Sequence, residues 1–273
     1  MSLPFVDRHP TENEFLKLRL LLSTYQDGTG MLIDKKKHGM TRPGWRDFER
    51  AVALAFRGEV PKGSEGKNVF DVLLTDAGNV RLHYGLSCKM RGELNRLQRD
   101  GRVTIELSNS EGKFGEALRK RGIDRSNYRG RATEVGEALI TLVKDWHTAE
   151  SLAYGGTVDI AKSSYLVLLW NEAGKYQLHQ FSLDLPDPTR LKWYFPTKKQ
   201  KNEEVEGKRL NDDDETGTLF EWYGESGGQL KYYPLATSAV WVSEVFELVP
   251  LPEMEYGILA KAVTYFPNLF PKE

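Results

Sequence analysis

Apolar and polar positions follow two rhythms along the chain, and the early part is helical. In "ENEFLKLRLLLSTYQ" (12–26) apolar side chains fall at 15, 16, 18, 20, 21 and 22, dense enough for a packed helix that then meets the turn residues "DGTG". In "RPGWRDFERAVALAFRG" (42–58) Trp45, Phe48, Val52 and Phe56 recur at three- and four-residue steps, with Pro43 near the start and Gly58 just past the end. This predicts a helix whose apolar stripe, Trp45 included, faces a core. After the loop "EVPKGSEGK" the period shortens. "NVFDVLLT" and "NVRLHYGLSCKM" are β-type runs separated by "DAG", a tight hairpin. "GRVTIELSNS" (101–110) sets Val103, Ile105 and Leu107 against Thr104 and Glu106, which predicts a third strand. "GKFGEALRKRG" and "RATEVGEALITLVKDWHTAESLA" return to the helical period. From 163 onward the texture is aromatic-rich strand: "SSYLVLLWN", "KYQLHQFSL", "LKWYFP", "TLFEWYG", "QLKYYPL" and "AVWVSEVFELV". Among these, the polar stretch 197–217 has little to bury and reads as a mobile loop.

This order predicts an α/β (α+β) protein: a mixed central sheet flanked by helices, with a β-rich C-terminal portion. The expected division is 1–160 and 161–273, the second part being a subdomain or a continuation of the same sheet. With 273 residues and 40 % hydrophobic content the chain can bury a substantial core. A single cysteine, Cys88, allows no intrachain disulfide, so a reducing cytosol is expected. The longest apolar runs, "AVALAF" and "YLVLLW", are far shorter than a membrane span, and the first residues lack a signal-peptide pattern; a cytoplasmic, prokaryotic protein is the expectation. Net charge is −1, yet residues 1–131 carry an excess of eight basic side chains and the remainder an excess of nine acidic ones. That asymmetry suggests a polyanion on the first part.

Three positions carry the chemistry. Glu49 lies on the amphipathic helix, Asp71 sits between Phe70 and Val72 in an apolar strand, and Lys89 ends the partner strand in "GLSCKMR". An ionised carboxylate in such a strand is costly unless it is paired or binds a metal. The plain account is one cross-strand ion pair beside an exposed helical glutamate. The succession of helix-Glu, Gly-rich loop, Asp-strand and Lys-strand, "GWRDFERAVALAF…VPKGSEGKNVFDVLLTDAGNVRLHYGLSCK", resembles the core of the PD-(D/E)XK nuclease superfamily over roughly residues 42–110. The resemblance implies a restriction-endonuclease-like core, a Mg²⁺ cofactor held by Asp71 and Glu49 with the backbone carbonyl of Cys88, and Lys89 positioning the nucleophile. Ser87 stands where that family usually has an acid. The missing carboxylate would come from Glu49 first, then Glu93 or Glu106.

Basic loops at "DKKKHG" (Lys35, Lys36, Lys37) and "RKRGIDRSNYRGR" (Arg119, Lys120, Arg121) have the density to neutralise phosphates or simply form solvated faces. "GGQLKYYPL" offers Lys231 and Tyr232 beside glycines, as a base-reading strand or as core. "GESGG" resembles a chymotrypsin-like nucleophile loop but lacks a histidine in the required context, and no Walker-A, Rossmann or zinc pattern is present. "NDDDETG" lacks calcium-loop spacing. The resemblance therefore implies a Mg²⁺-dependent endonuclease, foremost a type II restriction endonuclease cutting double-stranded DNA as a homodimer. The alternatives are a structure-specific repair nuclease or junction resolvase, and a non-catalytic DNA-binding module.

Overall fold

A computed structural model describes residues 2–33, 41–61, 69–108, 111–124, 126–196, 204–209, 217–224, 228–251 and 258–269. The first helix, α1 (Glu12–Ser23), opens with a capping box in which the Thr11 hydroxyl accepts from the Glu14 N–H and the Glu14 carboxylate accepts from the Thr11 N–H. Two short strands, β1 (Met31–Leu32) and β2 (Thr41–Arg42), pair ahead of α2 (Trp45–Phe56). Helix α2 buries Phe48, Val52 and Phe56 as its stripe predicts, but Trp45 is 54 % exposed. Its end is turned by Arg57 in the left-handed region (φ 57°) and not by Gly58. Gly58 has another reason to lack a side chain: a Cβ there would lie 2.7 Å from Val72.

The predicted hairpin forms from β3 (Val72–Thr75) and β4 (Leu82–Arg91), in register from Val72 opposite Leu86 to Thr75 opposite His83. Helix α3 (Leu94–Asp100), which the weak apolar pattern of "LNRLQRD" did not announce, leads to β5 (Ile105–Ser108), then α4 (Glu111–Lys120) and α5 (Ala132–Ala149). Strands β6 (Thr157–Val158), β7 (Ser164–Trp170), β8 (Lys175–Ser182), β9 (Leu191–Tyr194), β10 (Glu204–Arg209), β11 (Thr218–Tyr223), β12 (Gln229–Tyr232), β13 (Trp241–Val242) and β14 (Phe246–Glu247) precede α6 (Ile258–Tyr265).

The central sheet has seven strands in the order β13-β8-β7-β4-β3, with β6 against β4 and β14 against β8. It is mixed, because β4 runs parallel to β7 and antiparallel to β3. The fold is thus α/β in the expected sense. The second sheet, β5-β12-β11-β10-β9, is antiparallel throughout. One expectation changes here: the stretch 197–217 contains β10, which pairs with both β9 and β11, while the strand expected at 101–110 forms and joins β12 in the second sheet. Strands from both sides of residue 160 share each sheet.

Alternation along β4 and β7 feeds two cores. Leu86, Cys88, Leu166 and Leu168 pack with Phe48, Val52 and Phe56 of α2 on one face. Tyr165, Val167 and Leu169 pack on the other face with Val135 and Leu139 of α5 and with Phe220 and Leu230 of the second sheet. Strand β4, ten residues long, therefore lies between two hydrophobic layers, and its last residues, Lys89 to Arg91, are only partly buried.

Candidate active site

Strand β4 continues past the point where β3 can pair with it. The last ladder pair is Val72 with Leu86, and the Asp71 N–H extends the contact by one bond, donating to the Leu86 carbonyl at 3.0 Å. Asp71 therefore stands just ahead of β3, not inside it. Immediately before Asp71, Phe70 is fully buried and its ring crosses Gly85, where an added Cβ would lie 2.3 Å from ring carbons, so this close approach requires glycine on β4.

Past the end of β3 the Cys88 N–H, which has no opposing strand, donates to Asp71 Oδ2 at 2.7 Å, and Lys89 Nζ donates to the same oxygen at 3.3 Å. Within a strand the N–H and C=O of one residue point to the same edge. The Cys88 carbonyl consequently faces the side on which Asp71 sits. Its thiol is buried, and burial pushes it well above the usual thiol range, so Cys88 contributes backbone and no nucleophile.

Glu49 completes the group from α2. Burial, followed by the adjacent Asp71 carboxylate, raises its carboxyl to about 7, against the opposing pull of Lys89, Arg46 and Arg50. The cross-strand Asp71–Lys89 ion pair of the plain account forms, and Glu49, part-buried rather than exposed, is near enough for both charges to act on its carboxyl. Both partners of that pair keep roughly a quarter of their side-chain surface in solvent, at 25 % and 23 %. Among the described residues no three His, Cys, Asp or Glu side chains gather as a metal cluster. A hard cation here would have two carboxylates, the Cys88 main-chain oxygen and water, a set that suits Mg²⁺.

Other expected site residues lie elsewhere. Ser87 is buried beneath the strand surface. Glu106, expected as a metal ligand, instead accepts from Arg91 Nη2 at 2.6 Å, two residues beyond Lys89. Glu93 is held by the Thr104 hydroxyl and lies 3.7 Å from Arg96. Of the donors weighed for the missing acid, Glu49 is the one beside Asp71. Tyr232 is a further correction: it is buried and stacks on Phe220 with ring centroids 4.8 Å apart, so it belongs to the core and presents no edge to DNA. Lys231 sits 4.5 Å over the Tyr223 ring, opposite Glu106 in the ladder. Arg119, Lys120 and Arg121 are exposed at the end of α4, where cations also complement the helix dipole, and Lys120 pairs with Glu116 at 3.3 Å. Lys35, Lys36 and Lys37 lie outside the described residues, as do most of "NDDDETG" and "GESGG".

Trp45 is the residue that periodicity misplaced. It opens α2, so it has no preceding helical turn to pack against, and the stripe begins in practice at Phe48. Among the described residues no helix is long and apolar enough to cross a membrane. Compared with known proteins, the chain matches no family model, no curated protein and no solved structure.

Proposed function

We propose that the protein is a Mg²⁺-dependent deoxyribonuclease that hydrolyses phosphodiester bonds at Glu49, Asp71 and Lys89. The observation that carries this reading is the grouping at the edge of β4: Asp71 pairs with Lys89, and beside them burial, followed by the Asp71 charge, raises the Glu49 carboxyl to about 7. An added cation would offset both the burial and the Asp71 repulsion. When bound, Mg²⁺ supplies Lewis-acid polarisation of the scissile phosphate and a lowered pKa for an attacking water.

The chain's own groups account for the rest. Asp71 and Glu49 supply hard oxygens, and the Cys88 N–H fixes Asp71 Oδ2 so that the carboxylate does not swing away. Lys89, whose ammonium already reaches Asp71, can orient the water and stabilise charge developing on the phosphate. Pairing with β7 along Cys88 and Lys89 holds this end of β4 in place, and the buried stripe of α2 against the same sheet positions Glu49. Site-specific cutting of double-stranded DNA as a type II restriction endonuclease, with a two-fold homodimer supplying one site per strand, is the finer proposal. It rests on the resemblance of residues 42–110 and on how much chain remains for recognition.

Incubating the purified protein with supercoiled plasmid and Mg²⁺ tests the reading. Nicked or linear product is expected from the native chain, discrete fragments if cutting is site-specific. Asp71→Asn should give none while keeping the native melting curve. Cleavage that survives in Asp71→Asn, or absence of any cleavage by the native chain, overturns it.

A further inference from the structure

Trp45 is the large aromatic that the helix pattern assigns to the core and the fold leaves in solvent, with 54 % of its surface exposed. It lies one turn before Glu49 on α2, and residues four apart share a helix face with Cβ atoms about 5–6 Å from one another. The indole is thus a near neighbour of the acid that faces Asp71. The Arg46 guanidinium stands 4.8 Å from the centre of the Trp45 ring, and Arg46 and Arg50, again four apart, are both exposed. Arg46 and Arg50 also act electrostatically on Glu49, which places their charge at the same site. Beside those acids, then, the molecule displays an exposed indole with the Arg46 guanidinium over one face, and Arg50 one turn further along the helix. A nucleotide has the complementary parts, a flat base and an anionic phosphate.

Resting on the deoxyribonuclease reading, we propose that Trp45 and Arg46 form a stacking platform for one base taken out of the helical stack next to the phosphate that is cut. Bases stack on exposed aromatic side chains whatever their identity, because every base has a π face. An intact duplex hides those faces, so the base must be extruded or already unpaired. An unpaired nucleotide avoids the unpairing cost and binds more tightly. An intact duplex is therefore accepted at the cost of extruding that base, and DNA with an unpaired nucleotide at the cut position binds more tightly.

Fluorescence anisotropy with two labelled DNAs, an intact duplex and the same duplex carrying a short single-stranded gap, tests this with Ca²⁺ in place of Mg²⁺. The native chain should bind the gapped DNA about tenfold more tightly. Trp45→Ala should remove that preference by weakening gapped binding about tenfold with intact-duplex binding unchanged, and Trp45→Phe should keep most of it. Equal binding of both DNAs by the native chain overturns the proposal, as does a Trp45→Ala protein that retains the preference or weakens on both DNAs alike. Plasmid cleavage by native and Asp71→Asn proteins is scored separately. If cleavage depends on Asp71 while Trp45→Ala changes no affinity, the nuclease reading stands and the stacking platform falls; if the native chain neither binds nor cleaves DNA, both fall.

Discussion

Lys89 and Arg91 are neighbours on one face of β4, each meets an acid, and the two encounters have opposite character. Arg91 lies 2.6 Å from Glu106 of the second sheet, and Lys89 lies 3.3 Å from Asp71. The side chains are almost equally exposed, 26 % and 24 % in the first pair against 25 % and 23 % in the second. Burial therefore does not tell them apart, but length and surroundings do. Arg91 and Glu106 make a close contact that ties the two sheets together, whereas the Lys89–Asp71 contact is longer and has a third group beside it: Glu49, whose carboxyl is raised to about 7 by burial first and by Asp71 second, against Lys89, Arg46 and Arg50. The close pair serves the fold, and the longer one, beside a protonatable acid, is where the proposed cation would enter.

The largest effect should separate the two acids. Asp71→Asn is expected to lower plasmid cleavage by about 10³-fold or more, because it removes a ligand oxygen and the anchor of Lys89. Glu106→Gln should leave cleavage within a fewfold of native. A comparable loss in both, read from initial rates, would erase the distinction. Lys89→Ala comes next, with an expected loss of about 10²-fold or more at an unchanged melting temperature.

Stability effects are smaller. Gly85→Ala would drive a methyl group into the buried Phe70 ring, and such overpacking costs about 1–3 kcal/mol. Denaturant titration should show it, accompanied by reduced cleavage, since Phe70 immediately precedes Asp71. Glu106→Gln should cost about 1 kcal/mol by leaving Arg91 without its partner. For Glu49 the sign follows from its raised carboxyl. Folding favours the protonated acid, so that stability is complete below about 4.5 and is lost as pH rises through about 7. After allowance for solvent screening, Glu49→Gln should raise the cation-free melting temperature by about 2–4 °C at pH 8 and leave it unchanged at pH 4. A gain at pH 4 equal to that at pH 8 would remove the charge explanation.

Much of this comparison was legible in the sequence, and its gaps have physical causes. Phe48, Val52 and Phe56 declared the buried face of α2 because a 3.6-residue period and burial coincide there. The hairpin followed from "DAG" between two β runs, and it brought Asp71 near Lys89 by register alone. Periodicity does not name a distant partner, so β5 was legible as a strand but its pairing with β12, more than a hundred residues later, was not. Strand β10 escaped notice because "EVEGKR" has no apolar alternation; backbone bonds to β9 and β11 hold it. Glu106 stayed among the candidates behind Glu49 for the missing acid, since a polar strand face does not reveal that Arg91 already claims it. Tyr232 and Trp45 were misassigned in opposite directions, one buried and one exposed, because an aromatic at the right spacing fits either side of an element until its neighbours are known.

The central claim is that Glu49 and Asp71 form a cation site whose proton must leave. Isothermal titration with Mn²⁺ at pH 6.5, in two buffers of different ionisation enthalpy, reads both events at once. Native protein should bind with release of a fraction of a proton, and Glu49→Gln should bind far more weakly with no release. Binding of equal strength in Glu49→Gln, or a native heat that does not depend on the buffer, would contradict it.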